Sequence, residues 1–270
     1  MGPAGLRPVA SARVLRHVNS PSAVSIACEI TGQGPPLVLV HGAGSARWGF
    51  DLLRPLLEDS FTVMAVDRRG RGDSGDGALP YSIDQEFADV AAVMTQAGND
   101  AMLFGHSYGG LVAAGAAALL PDLEKLVLYE PPMGGVLAGE SWIERYERQL
   151  EAGERPAAVR CFLGDVGGYS AAEIAQMEST PAWGKRLAVA STVPRELRAE
   201  RALALESLDL GALTARCLML VGSESPAWAQ RSTEAYAGAL TDVRVCRLEG
   251  HGHGGAVSAP EWIARELIRA

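Results

Sequence analysis

Short, unbroken apolar runs recur along the chain: Leu37–Val40, Phe61–Val66, Ala101–Phe104, Lys125–Tyr129, Arg216–Val221 and Val243–Leu248. Hydrophobicity without alternation suits strands covered on both faces. Between them lie longer stretches with helical character: Trp48–Leu57, Ser82–Gln96, Leu111–Leu120, Ala227–Ala239 and Pro260–Ile268. Ser82 with Gln85 three residues on reads as a capping box, and Pro121 ends the alanine-rich helix. Ahead of these, Ala12–Val18 and Val24–Ile30 read as edge strands, closed by the turn Thr31-Gly32-Gln33-Gly34-Pro35-Pro36. Strands alternating with helices in this way predict an α/β fold, a mostly parallel sheet with helices on both faces.

The rhythm breaks between Met133 and Thr214. That stretch has no strand pattern but several helical ones: Ser141–Glu151, Pro156–Leu163, Ser170–Glu178 and Arg195–Leu205. Its aromatics (Trp142, Tyr146, Phe162, Tyr169, Trp183) and Met177 can face a ligand or pack the insertion onto the core, with packing the default for any one of them. The division expected is a core of residues 1–132 and 214–270 and a helical insertion of 133–213. A chain of 270 residues accommodates one large α/β domain with such an insertion.

Composition narrows the function classes. A net charge of −8 without a long basic run argues against a nucleic-acid groove or an anionic membrane surface as partner. Cys28, Cys161, Cys217 and Cys246 are scattered, with no Cys-x-x-Cys pair or Cys/His cluster, so buried reduced thiols in a cytoplasmic protein are expected rather than a disulfide framework or a metal site. The first twenty residues lack a signal-like apolar core, Leu6 breaks a myristoylation pattern after Gly2, and segment 111–120 is too short to span a bilayer.

The chemistry concentrates around Gly105-His106-Ser107-Tyr108-Gly109, set between a buried strand and a long helix. Gly-x-Ser-x-Gly in that context is the nucleophile elbow, a turn so tight that glycines must flank the serine. Serine needs a base. Among five histidines, His41 and His106 sit in glycine turns where loop organisation is the default, and His17 lies in an edge strand. Gly250-His251-Gly252-His253 follows the last strand, at the same sheet edge as the elbow, so His253 is the candidate base and His251 the reserve. Oxyanion donors are expected from the N–H groups of Tyr108, after the nucleophile, and Ala43, in His41-Gly42-Ala43-Gly44.

These segments, with Asp67-Arg68-Arg69-Gly70-Arg71-Gly72-Asp73-Ser74 in the same order and spacing, resemble the α/β-hydrolase superfamily over nearly the whole chain outside 133–213. The resemblance implies an eight-stranded core, a helical cap at the insertion, a Ser, acid, His chain order, and no metal or organic cofactor. The chain departs from the family at the acid. The family's Asp after the penultimate strand is replaced by Ser225 in Gly222-Ser223-Glu224-Ser225-Pro226. Some relatives take the acid from the strand after the elbow, where this chain has Glu130 before Pro131-Pro132. Glu130 is therefore the leading acid and Glu224 the reserve.

The function expected is hydrolysis of a small to medium, fairly apolar ester, thioester, lactone or related carbonyl compound through a Ser-His-acid triad. The alternatives are a cofactor-free lyase or C–C bond hydrolase on the same scaffold, and a non-catalytic receptor for a small ligand. In each case the partner is a small molecule.

Overall fold

The computed structural model describes residues 13–77 and 80–270. Ala12, at the start of the first expected strand, and the Gly2 and Leu6 positions lie outside the described residues. The apolar runs form one sheet: β1 (Val14–Asn19), β2 (Ser25–Gly32), β3 (Pro36–Val40), β4 (Thr62–Val66), β5 (Met102–His106), β6 (Lys125–Tyr129), β7 (Arg216–Gly222) and β8 (Val243–Leu248). Their spatial order is β1-β2-β4-β3-β5-β6-β7-β8. β1 and β2 pair antiparallel, β2 meets β4 antiparallel, and every later pairing is parallel.

The pleat explains why the inner strands read as unbroken apolar runs. Leu37 and Leu39 of β3 enter the core on one face of the sheet while Val38 and Val40 enter the core on the other. Phe104 and Leu103 divide the same way, as do Val127 and Leu128. With both faces covered, every position of such a strand must be apolar.

The helices of the core are α1 (Ile83–Ala97) and α2 (Tyr108–Ala117), then, after the insertion, α8 (Ala227–Ala239), α9 (Gly255–Ser258) and α10 (Pro260–Arg269). Ser82 and Gln85 close the expected capping box on α1. One expected helix is absent. Residues 48–57 form two short 3₁₀ turns, Arg47–Phe50 and Arg54–Leu56. Pro55 has no N–H to bond the carbonyl four residues back, so an α-helical ladder cannot run through it.

Every element between β6 and β7 is helical: α3 (Glu140–Glu151), α4 (Arg155–Cys161), a π turn (Phe162–Val166), α5 (Ala171–Glu178), α6 (Ala182–Ala188), α7 (Val193–Ala202) and three 3₁₀ turns. α6 carries no helical signal in the sequence, because Gly184 sits inside a helix of only seven residues. These helices share a small core of their own, including Ile143, Tyr146, Val159, Leu163 and Leu197, which takes in Trp228 and Ala229 from α8.

This cap is joined to the sheet by buried charge. Glu196 of α7, fully buried, forms ion pairs with Arg68, whose Nη2 lies 2.6 Å away, and with Arg71, both in the loop after β4. Arg68 also grips Glu86 of α1 at 2.8 Å. Removing one partner of a buried pair leaves an uncompensated charge, which costs about 3–5 kcal/mol. Glu196→Ala is accordingly expected to lower stability by about that amount, read as a fall in the urea midpoint at unchanged slope. A loss below about 1 kcal/mol, the range of exposed pairs, would show that the staple does not hold the cap.

Candidate active site

β5 delivers the chain into a sharp turn at Ser107, whose backbone sits at φ 56°, ψ −130°. A non-glycine residue held there stores about 1–3 kcal/mol of strain. Three hydrogen bonds hold it: Ser107 N–H donates to the Tyr129 carbonyl at 2.8 Å, and Ser107 C=O accepts from Gly110 and Leu111 at 2.7 and 3.2 Å. Close approach accounts for the flanking glycines. A Cβ at Gly105 would lie 2.4 Å from the Gly109 carbonyl, and one at Gly109 2.3 Å from the His41 carbonyl. Gly42 lies against the serine itself, where a Cβ would come within 3.0 Å of Ser107 Cβ and 3.4 Å of its Oγ.

Tyr108 is the first residue of α2, so its N–H has no carbonyl within the helix to bond. Among the described residues neither this N–H nor that of Ala43 donates to a protein acceptor. Two free donors thus lie beside Ser107, one at a helix N-terminus where the dipole favours negative charge.

Parallel pairing of β5, β6 and β7 sets His106 opposite Tyr129 and Tyr129 opposite Leu220. The chain after β6 therefore emerges between the serine and the loop after β7. Glu130 stands there, at φ 49° and fully buried. Its Oε2 lies 2.5 Å from His253 Nδ1. Its Oε1 accepts from Gly222 N–H at 2.7 Å and Ser225 Oγ–H at 2.5 Å. Burial opposes ionisation of this carboxyl, but the hydrogen bonds and charge of His253, together with Ser225 and Gly222, outweigh it and hold the group below the usual carboxylate range.

The reserve candidates point elsewhere. Glu224 is exposed, with its N–H donating to the His251 carbonyl at 3.0 Å. His251 faces Ser258 Oγ at 3.0 Å.

His41 and His106 both organise loops. Arg68 N–H donates to His41 Nε2 at 3.1 Å, so the proton is on Nδ1, which donates to the Gly42 carbonyl at 2.9 Å. His106 Nε2–H donates to the His253 carbonyl at 2.9 Å, and the two rings lie 4.8 Å apart. Burial pushes His106 down to about 3, so it stays neutral in this role. His106 thereby ties the serine turn to the His253 loop. Ser107 and His253 are each 8% exposed, and no hydrogen bond joins their side chains among the described residues. Such bonds commonly tighten only when substrate binds.

Three supporting residues escaped sequence reasoning. Tyr129 hydroxyl donates to the Gly252 carbonyl at 2.6 Å and accepts from Gly255 N–H at 3.1 Å, pinning the His253 loop from both sides. At Ser225 the sequence signal is an absent Asp, and a hydroxyl in that place suits a donor to a carboxylate. Arg68 bonds the His41 and Gly42 carbonyls at 2.8 and 3.1 Å and sits 4.8 Å over the Tyr108 ring, with no sequence signal beyond a charge-dense loop.

The cap supplies the remaining wall. Phe162 packs on Gly44 and Tyr169 on Gly254, on the two loops that flank the serine. Tyr146 is internal, donating to the Ala190 carbonyl at 3.1 Å, and Trp142 stacks on it at 5.3 Å. Trp183 and Met177 are partly buried against the cap's own core. No helix among the described residues is long and apolar enough to cross a membrane, and none of their His, Cys, Asp and Glu side chains cluster as a metal site. The four cysteines are free thiols, Cys28 and Cys217 buried.

Comparison with known proteins places the fold in a family. The chain is 34% identical over 199 residues to a pimeloyl-[acyl-carrier protein] methyl ester esterase of Stenotrophomonas maltophilia (strain R551-3), covering 68% of this chain and 71% of the relative. It is 38% identical to a 2-(acetamidomethylene)succinate hydrolase of Mesorhizobium japonicum, over 36% of this chain and 35% of that enzyme. Its fold matches the crystal structure of an alpha/beta hydrolase from Sphaerobacter thermophilus DSM 20745 with a TM-score of 0.80 at 32% identity, over 94% of this chain and 99% of that one. A family model described as "Alpha/beta hydrolase family" matches residues 37–266. With an eight-stranded sheet in this order, a serine turn at the end of its central strand and a helical cap inserted after the next, the chain belongs to the alpha/beta hydrolase family.

Proposed function

We propose that the protein is a serine hydrolase of a small to medium, fairly apolar ester, thioester, lactone or related carbonyl compound. Ser107 is the nucleophile, His253 the base and Glu130 the acid that orients it. The reading rests above all on one observation: the buried Glu130 carboxylate meets His253 Nδ1 at the sheet edge where Ser107 is held in a strained turn. With Nδ1–H committed to Glu130, the other ring nitrogen, Nε2, is left to accept the Ser107 proton.

The steps follow from these placements. Ser107 Oγ attacks the carbonyl carbon as its proton passes to His253, and the tetrahedral oxyanion is met by the N–H groups of Ala43 and Tyr108. The imidazolium, stabilised by Glu130, returns the proton to the leaving group, giving an acyl-enzyme. Water, activated by the same imidazole, then releases the acid. The names of the relatives, an esterase and a hydrolase, support acyl chemistry. Residues 133–213 act as the cap over a core of 1–132 and 214–270, with Phe162 and Tyr169 excluding water and offering apolar contact.

A fluorophosphonate probe is expected to label Ser107 alone, and Ser107→Ala to abolish labelling, as read by peptide mass spectrometry. Surviving label on the variant would remove Ser107 from the reaction.

Glu130→Gln should fold yet lose roughly 10²- to 10⁴-fold in kcat/KM on any true substrate, the range for losing an imidazole's orienting carboxylate. Glu224→Gln should change it less than about threefold, being exposed and clear of the imidazole. The reverse outcome would assign the acid to the loop after β7.

The pH dependence of stability gives an independent check. Glu130 has its carboxyl value lowered on folding, so its contribution is complete above the ordinary carboxylate range and is lost as pH falls through the lowered value. The stability gap between the native protein and Glu130→Gln, from denaturant midpoints, should therefore be widest near neutrality and close in acid. A gap that widens in acid would contradict a buried ionised carboxylate.

A further inference from the structure

Around the site, arginines end on carboxylates. Arg47 and Arg54 pair with Asp67 and Glu29, Arg69 with Asp89, Arg68 and Arg71 with Glu196, and Arg195 with Asp76. Arg186, on α6, is different. Among the described residues it makes no ion pair, and its one hydrogen bond is from Nη1 to the Gly44 carbonyl at 3.1 Å. Arg186 is half-buried, and its guanidinium lies 5.1 Å over the Trp48 ring. Burial disfavours its charge.

Its position is as informative as its lack of a counterion. Gly44 follows Ala43, the proposed oxyanion donor, and carries the Phe162 ring against its other side. Tyr169, also of the cap, sets its hydroxyl against Gly254, the residue after His253. That hydroxyl has no protein partner among the described residues. The cap thus sets a guanidinium with unused donors on the loop that carries Ala43 and a phenol with an unused donor on the His253 loop. A staple from cap to core would need only the bond to Gly44. It would not account for the rest of a planar fork whose geometry matches a carboxylate in two parallel bonds. In a protein carrying a net charge of −8, leaving this cation unpaired at the site favours an anionic ligand there.

We propose that Arg186, assisted by the Tyr169 hydroxyl, binds a carboxylate on the substrate, so that the natural substrate is an acidic ester or related acyl compound with an apolar body and one anionic end. Trp48 and Phe162 line the apolar part. The proposal rests on the hydrolase reading and narrows its substrate class.

The test pairs two chromogenic esters of equal acyl length, p-nitrophenyl pentanoate and mono-p-nitrophenyl glutarate. The native protein should favour the glutarate ester in kcat/KM by roughly tenfold or more, the scale of a charge-assisted hydrogen bond. In Arg186→Gln the ratio of the two values should fall to near one, and in Arg186→Lys, which keeps the charge without the fork, it should stay between. Equal handling of both esters by the native protein, or an Arg186→Gln variant with an unchanged ratio, would overturn the proposal and reduce Arg186 to a staple. A binding measurement separates this failure from failure of the hydrolase reading. Calorimetric titration with glutarate should show binding to the native protein and to Ser107→Ala, and at least tenfold weaker binding to Arg186→Gln. Absence of glutarate binding to the native protein would count against the anion site. Absence of fluorophosphonate labelling at Ser107, with glutarate still bound, would count against hydrolysis alone.

Discussion

The guanidinium of Arg68 is the point through which the site, the helix layer and the cap are tied together. It bonds the carbonyls of His41 and Gly42 and both oxygens of Glu86 on α1, pairs with the charge of Glu196 on α7, and covers the Tyr108 ring. Burial opposes its charge, but the Glu196 and Glu86 carboxylates outweigh that and keep it protonated. Taking such a group out of water is repaid only when its donors are used, and here every contact lands on something that must not move. The Gly42 carbonyl belongs to the loop carrying the Ala43 N–H, and Tyr108 carries the other free N–H. In the role proposed for them, two donors aimed at one developing charge must hold their places to a fraction of an ångström to be effective. A fully committed arginine between their two loops supplies that rigidity.

Glu130, the proposed acid, illustrates how a parallel sheet can deliver a carboxylate to one imidazole from either of two strands. β6 and β7 are neighbours in register, and Glu130 N–H donates to the Leu220 carbonyl at 3.2 Å. The carboxyl ends of both strands thus open onto the same imidazole. A carboxylate from β6 reaches it from a residue in the left-handed region, at φ 49°. The position after β7 then holds Ser225, whose hydroxyl donates to Glu130 Oε1 rather than competing for the histidine. A carboxylate with one oxygen bound to two donors and the other to the imidazole is fixed in rotation and kept ionised.

Legibility followed the range of the forces involved. The elbow could be read because Gly105 and Gly109 answer a local steric demand, and the capping box of α1 because Ser82 and Gln85 bond within one turn. The strands could be read because their burial is two-sided and leaves no polar position. Glu130 and His253 could be paired from a resemblance and from the rule that sites gather at one sheet edge. The rest depends on contacts far apart in sequence. Nothing in the spacing of Arg68 and Glu196 marks them as partners across 128 residues, and charged residues are read as exposed by default. The 48–57 stretch misled for a local reason, since its apolar spacing suited a helix while Pro55 forbade one. In the cap, composition alone could not separate Tyr146, which packs, from Tyr169, which reaches the His253 loop.

Charge in this molecule divides into two kinds according to whether it is answered inside the chain. Glu130, Glu196, Asp67 and Asp89 are buried, and each faces a cation or an imidazole of the same chain. Such groups cost solvation and return it as fixed geometry, which is what a two-donor oxyanion site and an oriented imidazole require. Arg186 returns nothing of the kind, because one carbonyl uses little of its capacity and no carboxylate meets it. A half-buried cation without a counterion raises the free energy of the empty site, and an anion entering there removes that cost at the moment of binding. The cap is therefore joined to the core at α7 by charges that answer each other, and presents at α6 a cation that no carboxylate of the described residues answers.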